Sequence, residues 1–198
     1  MKKLSTYLFL ILFSFSAPSF SADISEYEIE GISIGDSLLD HLSKEKIITG
    51  IEKTKPAYNY LTDEFGEAYL FGKFEIYDRL AFKVKPNDNN YIIYSIKGSI
   101  SYDDKLEQCF AKRKEIVEDF SLLYENARKV EQTPVFPWDP TGKSKSHNIL
   151  FIFDSGDQIK VACTEYEKSL KIKNNWDDSL QIVIAKKEVI AWLRNHIN

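Results

Sequence analysis

The sequence predicts an α+β fold: an antiparallel sheet of two three-stranded meanders packed by a central amphipathic helix, with further helices towards the N- and C-terminal ends. Three observations predict it. Two stretches, residues 67–102 and 148–185, show period-two patterning broken by turn residues. Between them, Asp104 to about Asn126 carries apolar residues at spacings of three and four. The strands come in runs, without the regular strand–helix alternation of a parallel sheet.

In chain order, the first element is a leader. Lys2 and Lys3 precede an apolar run, Tyr7 to Phe15, and Ala17-Pro18-Ser19-Phe20-Ser21-Ala22 then sets a helix breaker before small residues. This is the three-part layout of a secretory signal peptide over residues 1–21, cut after Ser21 or, as the next choice, after Ala22. The run falls short of the roughly 20 apolar residues that span a bilayer. Residues 22–198 are expected to form a single α+β domain in the periplasm or, if carried further, outside the cell, with no membrane span after cleavage. Losing Lys2 and Lys3 takes the 26 basic residues to 24, against 30 acidic ones. That balance argues against nucleic acid or anionic lipid as the partner, since both demand basic surface.

Residues 24–34 read as irregular or briefly extended. Gly35 turns the chain, and Asp36 or Ser37 caps a helix with Leu38, Leu39, Leu42, Ile47, Ile48 and Ile51 on one face and Gly50 near its terminus. Ser43 offers a second cap, so two short helices are the alternative. Strands follow at Ala68–Ile76, Arg79–Lys85 and Tyr91–Tyr102, the last two joined by the turn chemistry of Pro86-Asn87-Asp88-Asn89-Asn90. The central helix, capped by Asp103 or Asp104, shows Leu106, Cys109, Phe110, Ile116, Val117, Phe120, Leu123 and Tyr124 on one face. Residues 127–147 read as a long polar loop with three prolines. Strands resume at Asn148–Phe153, Gln158–Tyr166 and Ser179–Ala185, and a helix, Lys186–Ile197, closes the chain.

Cys109 and Cys163 are the two cysteines. In an oxidising compartment an even pair is expected to form a disulfide, here pinning the central helix to a later strand; a pair of buried thiols is the other reading. A metal site is not expected, because His41, His147 and His196 lack ligand spacing from either cysteine. No cofactor motif is present either.

Motifs that resemble catalytic signatures lack their context. Gly31-Ile32-Ser33-Ile34-Gly35 matches the G-x-S-x-G nucleophile elbow, but no strands precede Ser33 to build the required sheet. Thr141-Gly142-Lys143-Ser144 has Pro137 where a P-loop needs glycine. Asp88-Asn89-Asn90 and Asp154/Asp157 are explained by hairpin turns, and Asp177-Asp178 reads as a solvated pair. No catalytic residue is assigned. Two features remain. Val135, Phe136 and Trp138 form an apolar cluster in the 127–147 loop, which either packs back on the core or presents a recognition surface. Tyrosines are frequent near the sheet, at Tyr58, Tyr60, Tyr69, Tyr77, Tyr91, Tyr94 and Tyr102; they are read chiefly as fillers of a pleated surface, with a contact surface as the other reading.

The segment from Asp23-Ile24-Ser25 through Tyr27, Ile29-Glu30-Gly31-Ile32-Ser33-Ile34-Gly35-Asp36-Ser37-Leu38-Leu39-Asp40, together with Tyr91-Ile92-Ile93-Tyr94-Ser95-Ile96 and the cysteine-bearing helix, resembles a family of small exported, signal-peptide-bearing proteins of marine alphaproteobacteria. The resemblance implies export and brings no activity with it. The expected function is a non-enzymatic binding or accessory protein of the cell envelope, partnered by another envelope protein. The alternative is an envelope hydrolase acting on cell-wall or carbohydrate substrate through paired carboxylates.

Overall fold

A computed structural model describes residues 24–55, 63–72, 74–103 and 105–196. The expected signal peptide, Tyr58, Tyr60 and Asp104 lie outside the described residues. The elements are a hairpin of β1 (Glu28–Ile29) and β2 (Ile32–Ser33), a 3-10 turn (Leu38–Asp40), α1 (Lys44–Thr54), β3 (Gly66–Phe71), β4 (Arg79–Val84), β5 (Ile93–Ser101), α2 (Leu106–Leu123), β6 (Arg128–Gln132), β7 (Lys145–Ile152), β8 (Gln158–Glu165), α3 (Lys168–Asn174), β9 (Ser179–Ala185) and α4 (Lys187–His196).

The fold class is α+β, with one antiparallel sheet of seven strands in the order β3-β4-β5-β9-β8-β7-β6. Its halves are a three-stranded and a four-stranded meander, not two of three. The fourth strand is β6, inside the stretch read as a loop. Arg128, Lys129 and Glu131 leave β6 without apolar alternation, and it forms by pairing with β7 as a charged edge strand. Helix α3 begins three positions after β8 ends and is likewise absent from the periodicity; the Glu167 carboxylate caps it by accepting from Ser169 and Leu170 N–H. At the N-terminal end the two-helix alternative holds, with Ser37 capping the 3-10 turn and Ser43 capping α1. Gly50 sits within α1 rather than at its end, because a Cβ there would meet Ala68 at 3.2 Å where the helix lies against β3. Lys105, with no side-chain cap, starts α2, and Leu123 is exposed at its C-terminal end.

Strand alternation gives the sheet two different faces. On the apolar face Ala68, Leu80, Phe82, Ile96, Ile159, Val161, Cys163, Leu180 and Ile184 are fully buried. Each large side chain removed from water there contributes about 1.5–3 kcal/mol before the entropic cost of ordering it. The covering layer consists of α2, through Cys109 and Phe120, together with α1 and the N-terminal segment from Ile24 to Leu38. Glu30 and Gly31, both at positive φ, turn the β1–β2 hairpin, and the Glu30 carboxylate accepts from the N–H groups of Glu75, Ile76 and Tyr77. Tyr77 then lies over Gly98, where any Cβ would come within 2.5 Å of its ring.

Cys109 and Cys163 are joined by a disulfide between α2 and β8, with Cα atoms 6.0 Å apart. The bond closes a separation of 54 residues and is wholly buried. Replacing both cysteines by alanine is expected to lower unfolding stability by about 2–5 kcal/mol. Urea titration checks this; a midpoint equal to that of the unaltered protein would show that α2 is held by packing alone.

Candidate functional site

The second face of the sheet is polar and is built from register. One row of partners, Tyr69–Ala81–Lys97–Val183–Lys160–Leu150–Val130, crosses all seven strands. Next to it run Glu67–Lys83–Ser95–Ala185–Gln158–Ile152–Arg128 and Phe71–Arg79–Ser99–Gln181–Ala162–Asn148–Gln132. α4 covers one end, where Val189 and Trp192 pack with Phe65 and Ala185. Asp157 accepts from Lys187 N–H at 2.8 Å and so caps that helix, which gives this aspartate a structural task.

An aromatic ledge bounds the opposite end. Phe136 and Trp138 stack at 4.9 Å and 18°, and Phe136 stacks on Tyr166 at 5.7 Å and 17°. Trp176 stands against both Trp138 and Tyr166, at 5.3 and 5.1 Å. Tyr166 continues the alternation of β8, on the side of Lys160 and Thr164, and the Arg79 charge reaches its phenol. The loop is therefore ordered but does not join the main core: its rings pack on the β8–β9 connection while Val135 and Trp138 stay 47% and 45% exposed.

Asp139 organises that loop. Its carboxylate accepts from Thr141 N–H, the Thr141 hydroxyl and Ser144 N–H at 2.7–2.8 Å. Partial burial opposes its charge, but the hydrogen bonds from Ser144 and Thr141 outweigh this and hold the carboxyl well below the usual range. The Thr141–Ser144 segment is thus an Asp-centred turn, with Gly142 at φ 67. Asp178 is not a solvated residue. It is buried beneath the ledge, accepting from Tyr166 N–H and pairing with Lys171 at 3.1 Å.

Between α4 and the ledge the face carries Arg79, Lys83, Lys97 and Lys160, all half-buried, with Glu67 beside them. Lys83 pairs directly with Glu67, and Lys97 lies 3.8 Å from the same carboxylate. Tyr69 donates its hydroxyl to Glu67, and the Lys97 ammonium stands 5.6 Å from the Tyr69 ring centre. Burial alone raises the Glu67 carboxyl, but Lys83 and Lys97 overcome it, so the carboxylate stays ionised far below its normal range. Lys160 forms no hydrogen bond or salt bridge among the described residues. Burial, reinforced by the charges of Lys97 and Lys83 and opposed by Glu67, lowers its ammonium to about 8.

A shallow cleft of about 260 Å³ lies elsewhere, between Ile48, Ile51, Glu52, Asp63, Phe65 and Tyr91. Its Asp63 is hydrogen-bonded to Lys55, which lowers that carboxyl, the opposite of the shift that a general acid requires. Among the described residues no three His, Cys, Asp or Glu side chains gather to hold a metal ion, and no helix is long and apolar enough to cross a membrane. Ser33 pairs with Glu28 in the β1–β2 hairpin and donates its N–H to Asp36. His147 packs edge-on to Phe110, 3.3 Å from Glu165.

Sequence reasoning located Val135, Phe136 and Trp138 but missed their partners Tyr166 and Trp176, and missed the cationic face altogether. Its one local signal is a lysine following an apolar residue in mid-strand three times, at Phe82-Lys83, Ile96-Lys97 and Ile159-Lys160. No family model matches the chain, and neither a curated protein nor a solved structure matches it.

The half-buried Lys160 charge sets a pH dependence. Its folded pKa lies below the unfolded value of about 10.4, so folding disfavours the proton, and the penalty is complete below about 8 and vanishes as pH rises through the window between them. Lys160→Met is expected to raise the urea midpoint at pH 7 and to leave little gain at pH 10 relative to the unaltered protein. Equal gains at both pH values would show that the ammonium is fully solvated.

Proposed function

We propose that the protein is a binding or accessory protein of the bacterial envelope, delivered to the periplasm by removal of residues 1–21, and that it recognises another envelope protein through the aromatic ledge. The observation that carries the reading is the ledge itself. Four aromatic residues from two separate segments, 136–138 and 166–176, are gathered into one stack whose outer members remain exposed. Leaving such area in water costs free energy, and rigid aromatic anchors of this kind are what protein interfaces use. The Asp139-centred turn holds Phe136 and Trp138 in place before any partner arrives, which reduces the ordering cost of association. The leader pattern and the buried disulfide support an oxidising compartment. The likeness to small exported proteins points the same way.

Photo-crosslinking from position 135 in intact cells should capture a discrete envelope protein. Phe136→Ala with Trp138→Ala should reduce that capture at least tenfold while leaving the urea midpoint of the Cys109–Cys163-linked core nearly unchanged, since neither ring belongs to that core. Undiminished capture by a folded double variant would remove the ledge from the interface.

A further inference from the structure

We infer that the strand face between α4 and the aromatic ledge is an oxyanion-binding site, taking a multivalent phosphate- or carboxylate-bearing ligand against Arg79, Lys97 and Lys160. The inference does not require the ledge to bind a protein.

Charge distribution is the first argument. The chain as a whole carries a formal −4, yet this patch gathers four cations around one carboxylate. Glu67 is already shared between Lys83 and Lys97. The mutual repulsion is felt within the patch: Lys97 is lowered by burial and by Lys83 and Arg79, against the pull of Glu67. An arrangement that strains its own charges in the free protein is relieved by an anion, and that relief adds to binding.

The second argument is pairing. Other half-buried lysines have partners of their own: Lys171 has Asp178, Lys145 has Glu165, and Lys85 stands 4.7 Å from the Tyr94 ring centre. Arg79 and Lys160 have neither a salt bridge nor a hydrogen bond among the described residues. Cations withdrawn from water without a partner are expensive, and an arginine fork in particular is shaped for a planar or tetrahedral oxyanion.

A third, independent observation lies in the floor. Ser99 stands between Arg79 and Gln181 in the register, on the same face as Lys97. It is 2% exposed, and its hydroxyl has no hydrogen-bond partner. Buried hydroxyls are normally satisfied. A ligand oxygen held by Arg79 would bring this one an acceptor.

Geometry indicates a multivalent ligand. Lys97 and Lys160 flank Val183, so their backbones are about two strand spacings, roughly 10 Å, apart. Both side chains leave the same face of the sheet, the Lys97 charge acts on Lys160, and Arg79 stands one row away on that face. One small monovalent ion would satisfy a single cation; adjoining phosphoryl groups or a tricarboxylate would reach several.

The test is calorimetric titration of the purified protein at low ionic strength with inorganic pyrophosphate in one arm and citrate in the other. Saturable binding of one equivalent is expected in at least one arm, and which arm responds identifies phosphate or carboxylate as the recognised group. Lys160→Met and Arg79→Gln should each weaken it about tenfold or more, the size of one lost charge-assisted hydrogen bond. Lys114→Met, on the exposed side of α2, should leave it unchanged. The Lys160→Met protein loses only an unpaired charge and keeps its fold, so its result stands even if Arg79→Gln fails to fold. No saturable binding in either arm, or equal affinity across all three variants, would overturn the inference.

Discussion

The pairing of β5 with β9 is the constraint on which the molecule depends. It is the one strand contact that joins the β3–β5 meander to the β6–β9 meander, through seven partnered positions from Ser95–Ala185 to Ser101–Ser179. A slip of one residue would turn Ile182 and Ile184 out of the core and Val183 into it. It would also part Lys97 from Lys160, which face each other across Val183 only in this register. Core and polar face are thus two consequences of one alignment.

The disulfide acts at right angles to that alignment. Sheet hydrogen bonds hold strands to strands, but α2 enters from β5, beside β9, and leaves for β6, at the far edge of the four-stranded half, and needs anchorage to the sheet. Cys109 to Cys163 supplies it near the start of α2, and Phe120 packing with Phe151 and Tyr27 supplies it near the end. With both helix ends fixed, the apolar face is closed. The polar face is then left as the side on which long, charged side chains and the aromatic ledge stand.

Net charge and local charge point in opposite directions here. An acidic balance over the whole chain argued against polyanionic partners, and for nucleic acid or anionic lipid it still does. Folding nevertheless collects Arg79, Lys83, Lys97 and Lys160 from β4, β5 and β8 onto one surface, while the acidic residues that set the balance are spread through loops and helix exteriors. Totals constrain long-range behaviour; a site is governed by what lies within about a Debye length.

Much of the secondary structure was legible because it obeys periodicity. β9 begins and ends where alternation says, and α2 follows its three-and-four spacing, since apolar faces must be buried wherever they occur. What escaped was stabilised by non-local partners: β6 by β7, α3 by the Glu167 cap, the ledge by Tyr166 and Trp176 meeting Phe136 and Trp138 across about thirty residues of chain. The sequence by itself determined the α+β class, the leader pattern and the cysteine pair, each a local or compositional property. Only the tertiary structure decided which lysines share a face and which aromatic rings meet. Strand order and register depend on the pairing of distant segments, and no local pattern encodes that distance.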